Sequence, residues 1–372
     1  MKNIPYLLAL HSIDGLGPIR LKAILDYFKD PKLAWEADAK QLLEIGIPKN
    51  AVELLLEMRK KLDPPASGQS IRDSGIKWMT FFDDNYPERL SQIYDPPIVL
   101  YYVGEILPED KRAVAVVGTR KMSGYGRVVT DQFVKALSLA RVTVVSGLAR
   151  GVDGYAHKEA LDSGGRTIAV LGGGLSTDGG GFKNIFPPEH SDLARKIAQG
   201  FGAVISEFPP NYPSLPGNFP SRNRIISGLS LAVLVTEAAE DSGSLITARL
   251  ALEQGRDVFA VPGPITSYLS KGPIDLIKEG ARPVVDPREI LDELGINQML
   301  ASRSQLTEQA DLKFSDSEKK ILECLENESK HVDEICRLLN LSVSEVSAFL
   351  LKMEIAGFVQ NLGSGTYCMK MR

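Results

Sequence analysis

Four short segments of this sequence combine small residues with cations, hydroxyls or an aromatic ring. Small residues let backbone N–H groups approach an anion, the start of a helix adds a favourable dipole, and arginine supplies a forked cation. An aromatic ring among such groups offers a flat surface on which a base can stack. The segments are Gly118-Thr119-Arg120 with Ser123; Ser146-Gly147 with Arg150; Phe219 with Arg222, Asn223 and Arg224; and Ser242-Gly243-Ser244.

Each segment taken alone also has an ordinary structural interpretation. The loop at Gly118 lacks the Gly-x-Gly-x-x-Gly spacing of dinucleotide-binding proteins and no acidic residue ends the next predicted strand, so a tight turn explains it equally well. Phe219 alone favours a core aromatic with surface arginines beside it. Arg222 and Arg224 are two positions apart and point to different faces of a helix, so one could contact a ligand while the other pairs internally.

Three titratable residues near these segments invite a catalytic interpretation. Asp153 precedes a predicted helix, and this position favours an N-cap over a catalytic acid. His157 favours a packing or capping role, because the sequence offers it no obvious partner. Glu237 could act as an acid or base if it were buried beside Arg120. We therefore predict that this protein is not an enzyme, and we keep a catalytic role for Glu237 as an alternative.

Short β-branched runs that alternate with helical stretches must position these segments. Buried parallel strands have this composition, and strands joined by helices predict an α/β fold with a doubly wound, mostly parallel, Rossmann-like sheet. Ligands of such sheets lie beyond the carboxyl ends of the strands, where we expect the four segments to meet. The runs are 113–117, 142–145, 167–171, 203–206, 231–236 and 257–261.

The composition is that of an ordinary globular protein. Hydrophobic residues make up 44% and charged residues 24% of 372 residues, and the net charge of -4 points to no polyanionic partner. The charge is uneven, however, because residues 111–290 hold 21 Lys/Arg against 17 Asp/Glu. This excess is a hint of an anionic ligand for the central region.

The cysteines and the apolar runs indicate the compartment. Cys324, Cys336 and Cys368 are odd in number and show no metal-ligand spacing with His331, which favours a reducing environment and predicts no metal site. Leu7 to Leu10 is too short for a signal-peptide core, and no run is long enough to span a membrane. We expect a cytoplasmic protein that needs no cofactor.

Composition predicts three domains. Residues 1–65 form a helical module, with helical periodicity up to about residue 62. The boundary lies in the linker-like Asp63-Pro64-Pro65-Ala66-Ser67-Gly68, and residues 66–295 form the central domain, which includes an aromatic-rich extension up to about 110. Residues 296–312 are polar and predict a linker, and residues 313–372 predict a winged helix-turn-helix.

Both flanking modules have two interpretations. The segment Ile13-Asp14-Gly15-Leu16-Gly17-Pro18-Ile19 predicts a helix-hairpin-helix or SAM-like module, in which packing or partner docking is favoured over DNA contact because acidic residues oppose its cations. The predicted recognition helix of the winged helix, 342–356, carries Glu345 and Glu354 against Lys352. It has little charge with which to neutralise phosphates, so protein contact is favoured there too.

Five motifs together resemble the DNA-processing protein A (DprA/Smf) family. They occur in that family's order and near its spacing, and the resemblance covers roughly residues 70–290. The link after Leu171 is longer and more glycine-rich than the family pattern. The motifs are VVGTR at 116–120, SGLARGVD at 146–153, FPSRNRIISGLS at 219–230, SGSLITA at 242–248 and VPG at 261–263.

The resemblance implies a protein that binds single-stranded DNA with little sequence preference. It further implies protection of incoming DNA during natural transformation, a homodimer, and help in loading the recombinase RecA. The family's positive pocket corresponds here to Arg120, Phe219, Arg222 and Arg224.

Two rival functions remain from other classes. Proteins of the related LOG type share the core and cleave nucleotide N-glycosidic bonds with a Pro-Gly-Gly-x-Gly-Thr-x-x-Glu loop. The corresponding region here, 237–244, lacks that signature. A nucleotide-sensing module with a winged-helix output is the other alternative.

Overall fold

The computed structural model describes residues 2–178, 182–296, 316–325, 329–355, 359–363 and 365–369. It consists of two compact units, residues 1–300 and 301–372.

A nine-stranded sheet forms the centre of the first unit. Its order is β1-β2-β6-β5-β4-β3-β7-β8-β9; β3 to β9 of this sheet are parallel, whereas β2 pairs antiparallel with β1 and β6. The strands are β1 Lys77–Thr80, β2 Val99–Gly104, β3 Ala113–Val117, β4 Thr143–Ser146, β5 Thr167–Val170, β6 Gly202–Ser206, β7 Ala232–Val235, β8 Asp257–Ala260 and β9 Arg282–Pro283. The six predicted strands and the extension before them are confirmed.

Helices cover both faces of this sheet, because successive side chains of a buried strand point to opposite faces. In β3, Val114 and Val116 pack with Phe133 of one helical layer, whereas Ala115 and Val117 pack with Ile225 of the other. The helices are α7 Glu88–Ser91, α8 Gly124–Leu139, α9 Val152–Asp162, α10 Ser191–Lys196, α11 Asn218–Leu229, α12 Gly243–Glu253, α13 Lys271–Lys278 and α14 Pro287–Glu293, with shorter turns at Pro108–Lys111, Pro188–His190, Ile197–Phe201 and Tyr268–Ser270. The doubly wound α/β prediction is confirmed.

The sheet reverses its direction of growth between β3 and β7. From β3 the chain builds β4, β5 and β6 on one side, and it then returns to add β7 and β8 on the other side. The loops after β3 and β7 therefore diverge and leave a crevice, which is where ligands bind in open parallel sheets.

Six helices precede the sheet, and the first five lie in the region for which the apolar periodicity predicts helices. They bury Leu7, Leu21, Ile24 and Leu55 in a common core. They are α1 Ile4–His11, α2 Pro18–Phe28, α3 Pro31–Glu36, α4 Ala39–Glu44, α5 Lys49–Met58 and α6 Pro64–Asp73.

The linker predicted at residues 63–68 is wrong. Pro64–Asp73 is helix α6, which starts with two prolines because they are tolerated in a first helical turn. Gly68 packs against Pro5 of α1, and Ile71 is buried. Composition is misleading here, because proline and glycine are typical of linkers and composition does not show that this segment packs against α1.

The second unit has the predicted winged-helix order. Helices α15 Asp316–Leu325, α16 Val332–Leu339 and α17 Val343–Ile355 are accompanied by strands β10 Lys330–His331, β11 Val359–Gly363 and β12 Thr366–Met369. The strands pair in the order β10-β12-β11, and Ile321, Ile335 and Leu350 lie in the core. The linker predicted at 296–312 lies, apart from Ile296, outside the described residues.

Three further findings concern the described residues only. None of their helices is both long and apolar enough to cross a bilayer. Among them, no group of His, Cys, Asp and Glu is placed to hold a metal ion. Cys324, Cys336 and Cys368 are half-buried and free.

Candidate nucleic-acid interface

A cavity of about 600 Å³ occupies the crevice between the loops that follow β3 and β7. It also receives the first turns of α11 and α12, residues after β4 and Phe186, so five separate segments of the chain line it. Most of the predicted contact residues line it: Gly118, Thr119, Arg120, Phe219, Arg222, Asn223, Ser242, Gly243 and Ser244. Ser123, Ser146, Gly147, Arg150 and Arg224 are not among its lining residues.

Arg120 and Phe219 form the mouth of this cavity. The guanidinium carbon of Arg120 lies 5.8 Å from the centroid of the Phe219 ring, and Arg120 is exposed whereas Phe219 is half-buried. A cation beside an aromatic face in a solvent-accessible cleft can hold a phosphate next to a stacked base. Arg120 lies in the loop after β3 and Phe219 in the first turn of α11, so the two residues are far apart in the chain and only the fold joins them.

A second aromatic ring lies beside the first. Phe186 lines the cavity with its ring centroid 5.6 Å from that of Phe219, and it is exposed. The sequence interpretation missed this residue, although an aromatic in the loop after β5 is a signal of the same kind. Gly172 supports Phe219 from below, because a Cβ on Gly172 would lie 2.8 Å from the phenyl ring. Part of the glycine-rich link thus permits the position of Phe219.

The N-terminus of α12 faces the same cavity. Ser242 caps the helix, its Oγ lies 2.8 Å from the Oγ of Ser244, and Gly243 is exposed between them. Asn223 reaches across from α11 and donates a hydrogen bond to the Gly243 carbonyl at 3.4 Å. Hydroxyls at the positive end of an 11-residue helix suit a phosphate oxygen.

The polar groups at Ser146 and Gly147, where β4 ends, form hydrogen bonds within the protein. The Ser146 hydroxyl is buried and donates to the Val116 carbonyl at 2.7 Å, and the Gly147 N–H donates to the Asp153 carboxylate at 3.1 Å. The anion that this loop binds is therefore Asp153. The N-cap prediction for Asp153 is wrong, because Gly151 occupies that position with a φ of 76° and Asp153 lies inside the first turn.

Arg222 lies in the floor of the cavity and not at its surface. It is 3% exposed and donates to the carbonyls of Gly147 (2.8 Å) and Val170. Burial lowers the pKa of Arg222 to about 10, against the attraction of Asp153, so the guanidinium is still charged at neutral pH. Burial raises the pKa of Asp153, which Arg222 opposes. The two charges compensate each other.

Arg224 is removed from the predicted contact set. It is 7% exposed and pairs with Asp95 at 2.8 Å and with Glu207 at 2.5 Å. It follows Arg222 by two helical positions, so its side chain leaves α11 on a different face and meets carboxylates instead of the cavity. The sequence analysis allows one of Arg222 and Arg224 to pair internally, but both side chains are buried.

Ser123 and Glu237 also satisfy each other. The Ser123 hydroxyl donates to one carboxylate oxygen of Glu237 at 2.6 Å, and the Ser123 N–H donates to the other at 3.0 Å. Glu237 is 2% exposed. Ser123 caps α8, so this carboxylate serves the helix start. Neither residue is directed at the cavity mouth.

Arg150 and His157 have partners elsewhere. Arg150 is exposed and pairs with Glu189 at 2.5 Å. His157 is fully buried, with Nδ1 2.7 Å from the Thr167 hydroxyl, which itself donates to the Val144 carbonyl. Nδ1 must therefore be the donor to Thr167, and burial lowers the pKa of His157 to about 3. This histidine packs, as the sequence favours.

Comparison with known proteins extends over both units. Residues 77–295 match the family model described as DNA recombination-mediator protein A, and residues 304–365 match the DprA winged helix domain. The chain is 44% identical over 285 residues to Protein Smf of Escherichia coli, covering 75% of this chain and 74% of that protein. It is 42% identical over 214 residues to DNA processing protein DprA of Streptococcus pneumoniae, covering 58% and 73%.

Two solved structures share this architecture. The X-ray structure of DNA processing protein A from Streptococcus pneumoniae aligns with a TM-score of 0.68 and 35% identity, covering 79% of this chain and 99% of that one. DNA processing protein A from Helicobacter pylori, described with a single-stranded DNA binding mode, aligns with a TM-score of 0.51 and 29% identity, covering 62% and 98%.

Proposed function

Since the chain belongs to the DNA recombination-mediator protein A family, also called DprA/Smf, we propose that it binds single-stranded DNA in the cavity between β3 and β7. The observation that carries the proposal is the exposed Arg120 guanidinium beside the Phe219 ring. The Helicobacter pylori relative is described by its single-stranded DNA binding, which supports the same ligand here.

The chemistry of the cavity favours a single strand over a duplex. Stacking on Phe219 requires a base whose face is free, and paired bases in a duplex have their faces covered by neighbours. Every base has such a face, so this mode carries little sequence preference. Binding requires no covalent step, and both carboxylate oxygens of Glu237, the candidate acid of the hydrolase alternative, are held by Ser123.

Fluorescence anisotropy with labelled oligo-dT, a matched duplex and free nucleotides tests the proposal. We expect oligo-dT to bind more tightly than the duplex, and free nucleotides to compete only weakly. A nucleotide that binds more tightly than oligo-dT, or that loses its base on incubation, would overturn the proposal in favour of the nucleotide-sensing or hydrolase alternatives.

We further propose a cytoplasmic role in natural transformation, in which the protein protects incoming DNA and helps load RecA. These roles follow from the family resemblance. A RecA filament assay on oligo-dT with and without this protein tests loading, and added nuclease tests protection.

A homodimer is expected on the same basis. The segment Ile274 to Ile277 is apolar enough to suggest an edge contact, but it lies in α13, where Leu276 is buried within this chain. The support is therefore the resemblance alone. Light scattering at micromolar concentration should give about twice the monomer mass, and a monomer throughout would contradict it.

Removal of residues 313–372 is expected to leave oligo-dT affinity within about threefold, because the predicted recognition helix, 342–356, has little positive charge with which to release counterions. The start of α17 supports this, because it carries a carboxylate: Glu345 accepts a hydrogen bond from the Ser342 hydroxyl at 2.6 Å. Anisotropy of the shortened and full-length chains measures the difference. A loss of tenfold or more would mean that the winged helix contacts the strand.

A further inference from the structure

A basic groove adjoins the cavity and shares Arg120 with it. This groove is a cleft of about 740 Å³, formed by the first turns of α8, by α9 and by α10. Its charged residues besides His190 are five cations and one carboxylate: Arg120, Lys121, Arg127, Lys158, Lys196 and Asp162. An excess of cations in one cleft is notable because the whole chain has a net charge of -4.

The cations of this groove are free to meet a ligand. The side chains of Lys121, Lys158 and Lys196 are exposed, and none forms an ion pair with another described residue. Arg127 lies over the Tyr155 ring at 5.1 Å, which holds its guanidinium at the groove wall. Conformational ordering of long side chains costs little when an aromatic surface already restricts them.

Gly154 lets the floor of the groove pack closely. A Cβ on Gly154 would lie 2.3 Å from the His190 ring, so α9 can approach His190 only without a side chain there. The His190 ring is held by its Nδ1, which donates to the Leu148 carbonyl at 2.8 Å. Packing and this hydrogen bond therefore fix the His190 ring, and Lys121, Lys158 and Lys196 line the same groove.

The two clefts differ in their charges and in their aromatic surfaces. In the cavity, Arg222 and Asp153 are both buried, and the exposed charged residues are Arg120 and Asp241. The groove instead offers several cations, one of which, Arg127, lies over the Tyr155 ring. Cations spread over three helices suit a chain of phosphates better than one phosphate group.

We propose that the strand held at Phe219 continues past Arg120 into the basic groove, where Lys121, Arg127, Lys158 and Lys196 neutralise its phosphates. The cavity then binds bases by stacking and the groove binds the backbone by charge. This inference rests on the proposed function, since it extends the same strand. It predicts that the groove contributes only when the strand is long enough to leave the cavity.

Lys158→Ala combined with Lys196→Ala tests the groove in the full-length protein. Affinity for oligo-dT is measured over lengths from about 4 to about 16 nucleotides and longer, at several salt concentrations. Lys60→Ala combined with Lys135→Ala is the matched control, because these exposed lysines line neither cleft and the charge change is equal.

With long strands, we expect the groove variant to bind roughly tenfold to thirtyfold more weakly than the control near physiological salt and to show a salt slope lower by about 1.4, or about 0.7 per lysine. With the shortest strands that bind, the two variants should agree. The single variants Lys158→Gln and Lys196→Gln should each give about half the change in slope.

Two results would overturn the groove alone: equal affinity and slope for the groove variant and the control at every length, or an equal loss at every length. In either case the proposed function stands if Phe219→Ala still weakens binding. A parent protein without preference for the single strand would instead remove the proposed function itself, and with it the groove.

Discussion

Phe219→Ala is expected to weaken oligo-dT binding by about 1–3 kcal/mol, roughly fivefold to 150-fold, with the salt slope unchanged. The ring lies half-buried between Phe186 and Arg120, where a base can stack on it. Stacking releases no counterions, so plots of affinity against salt should shift in parallel. Phe201→Ala is the control, since this exposed ring lines neither cleft.

Arg120→Ala should give the contrasting signature. A cation on a phosphate acts by releasing condensed counterions, so its removal should lower the single-strand salt slope by about 0.7 and weaken all sequences alike. Arg249→Ala is the matched control, because Arg249 is exposed and lines neither cleft. If Arg120→Ala and Phe219→Ala both bind like the parent across the salt series, the cavity is not the binding site.

Arg224→Ala should lower the free energy of unfolding by about 3–5 kcal/mol, because removing one partner of a buried ion pair leaves the other charge uncompensated. Arg224 pairs with Glu207 and Asp95, and the side chains of Arg224 and Glu207 are 8% and 11% exposed. Urea denaturation of the variant and the parent measures the loss. Arg249→Ala should change it by no more than about 0.5 kcal/mol, as an exposed substitution does.

The same variant separates stability from binding. Where Arg224→Ala is folded, its salt slope for oligo-dT should equal that of the parent, because Arg224 lies outside the cavity. A stability loss below about 1 kcal/mol together with a flatter slope would contradict the structural role, and it would return Arg224 to the contact set that the sequence predicts.

Local pattern by itself determined the strands and the order of the modules. Each parallel strand is a short apolar run buried on both faces, so its composition is distinct from the amphipathic helices around it. The carboxyl-edge rule then places Gly118-Thr119-Arg120 and Ser242-Gly243-Ser244 in one crevice, as the structure does. The prolines at 64 and 65 show the limit of composition, since they begin a helix.

Only the tertiary structure decided which polar groups face a ligand. Gly147, Ser123 and Arg224 carry the residue types of an anion site, yet the carboxylates of Asp153, Glu237 and Glu207 accept their hydrogen bonds. A buried charge or N–H must find a partner, and the sequence does not reveal whether that partner is internal or a ligand. Among the described residues, no carboxylate pairs with Arg120, which stays exposed beside the half-buried Phe219 ring, and that difference depends on packing between distant segments.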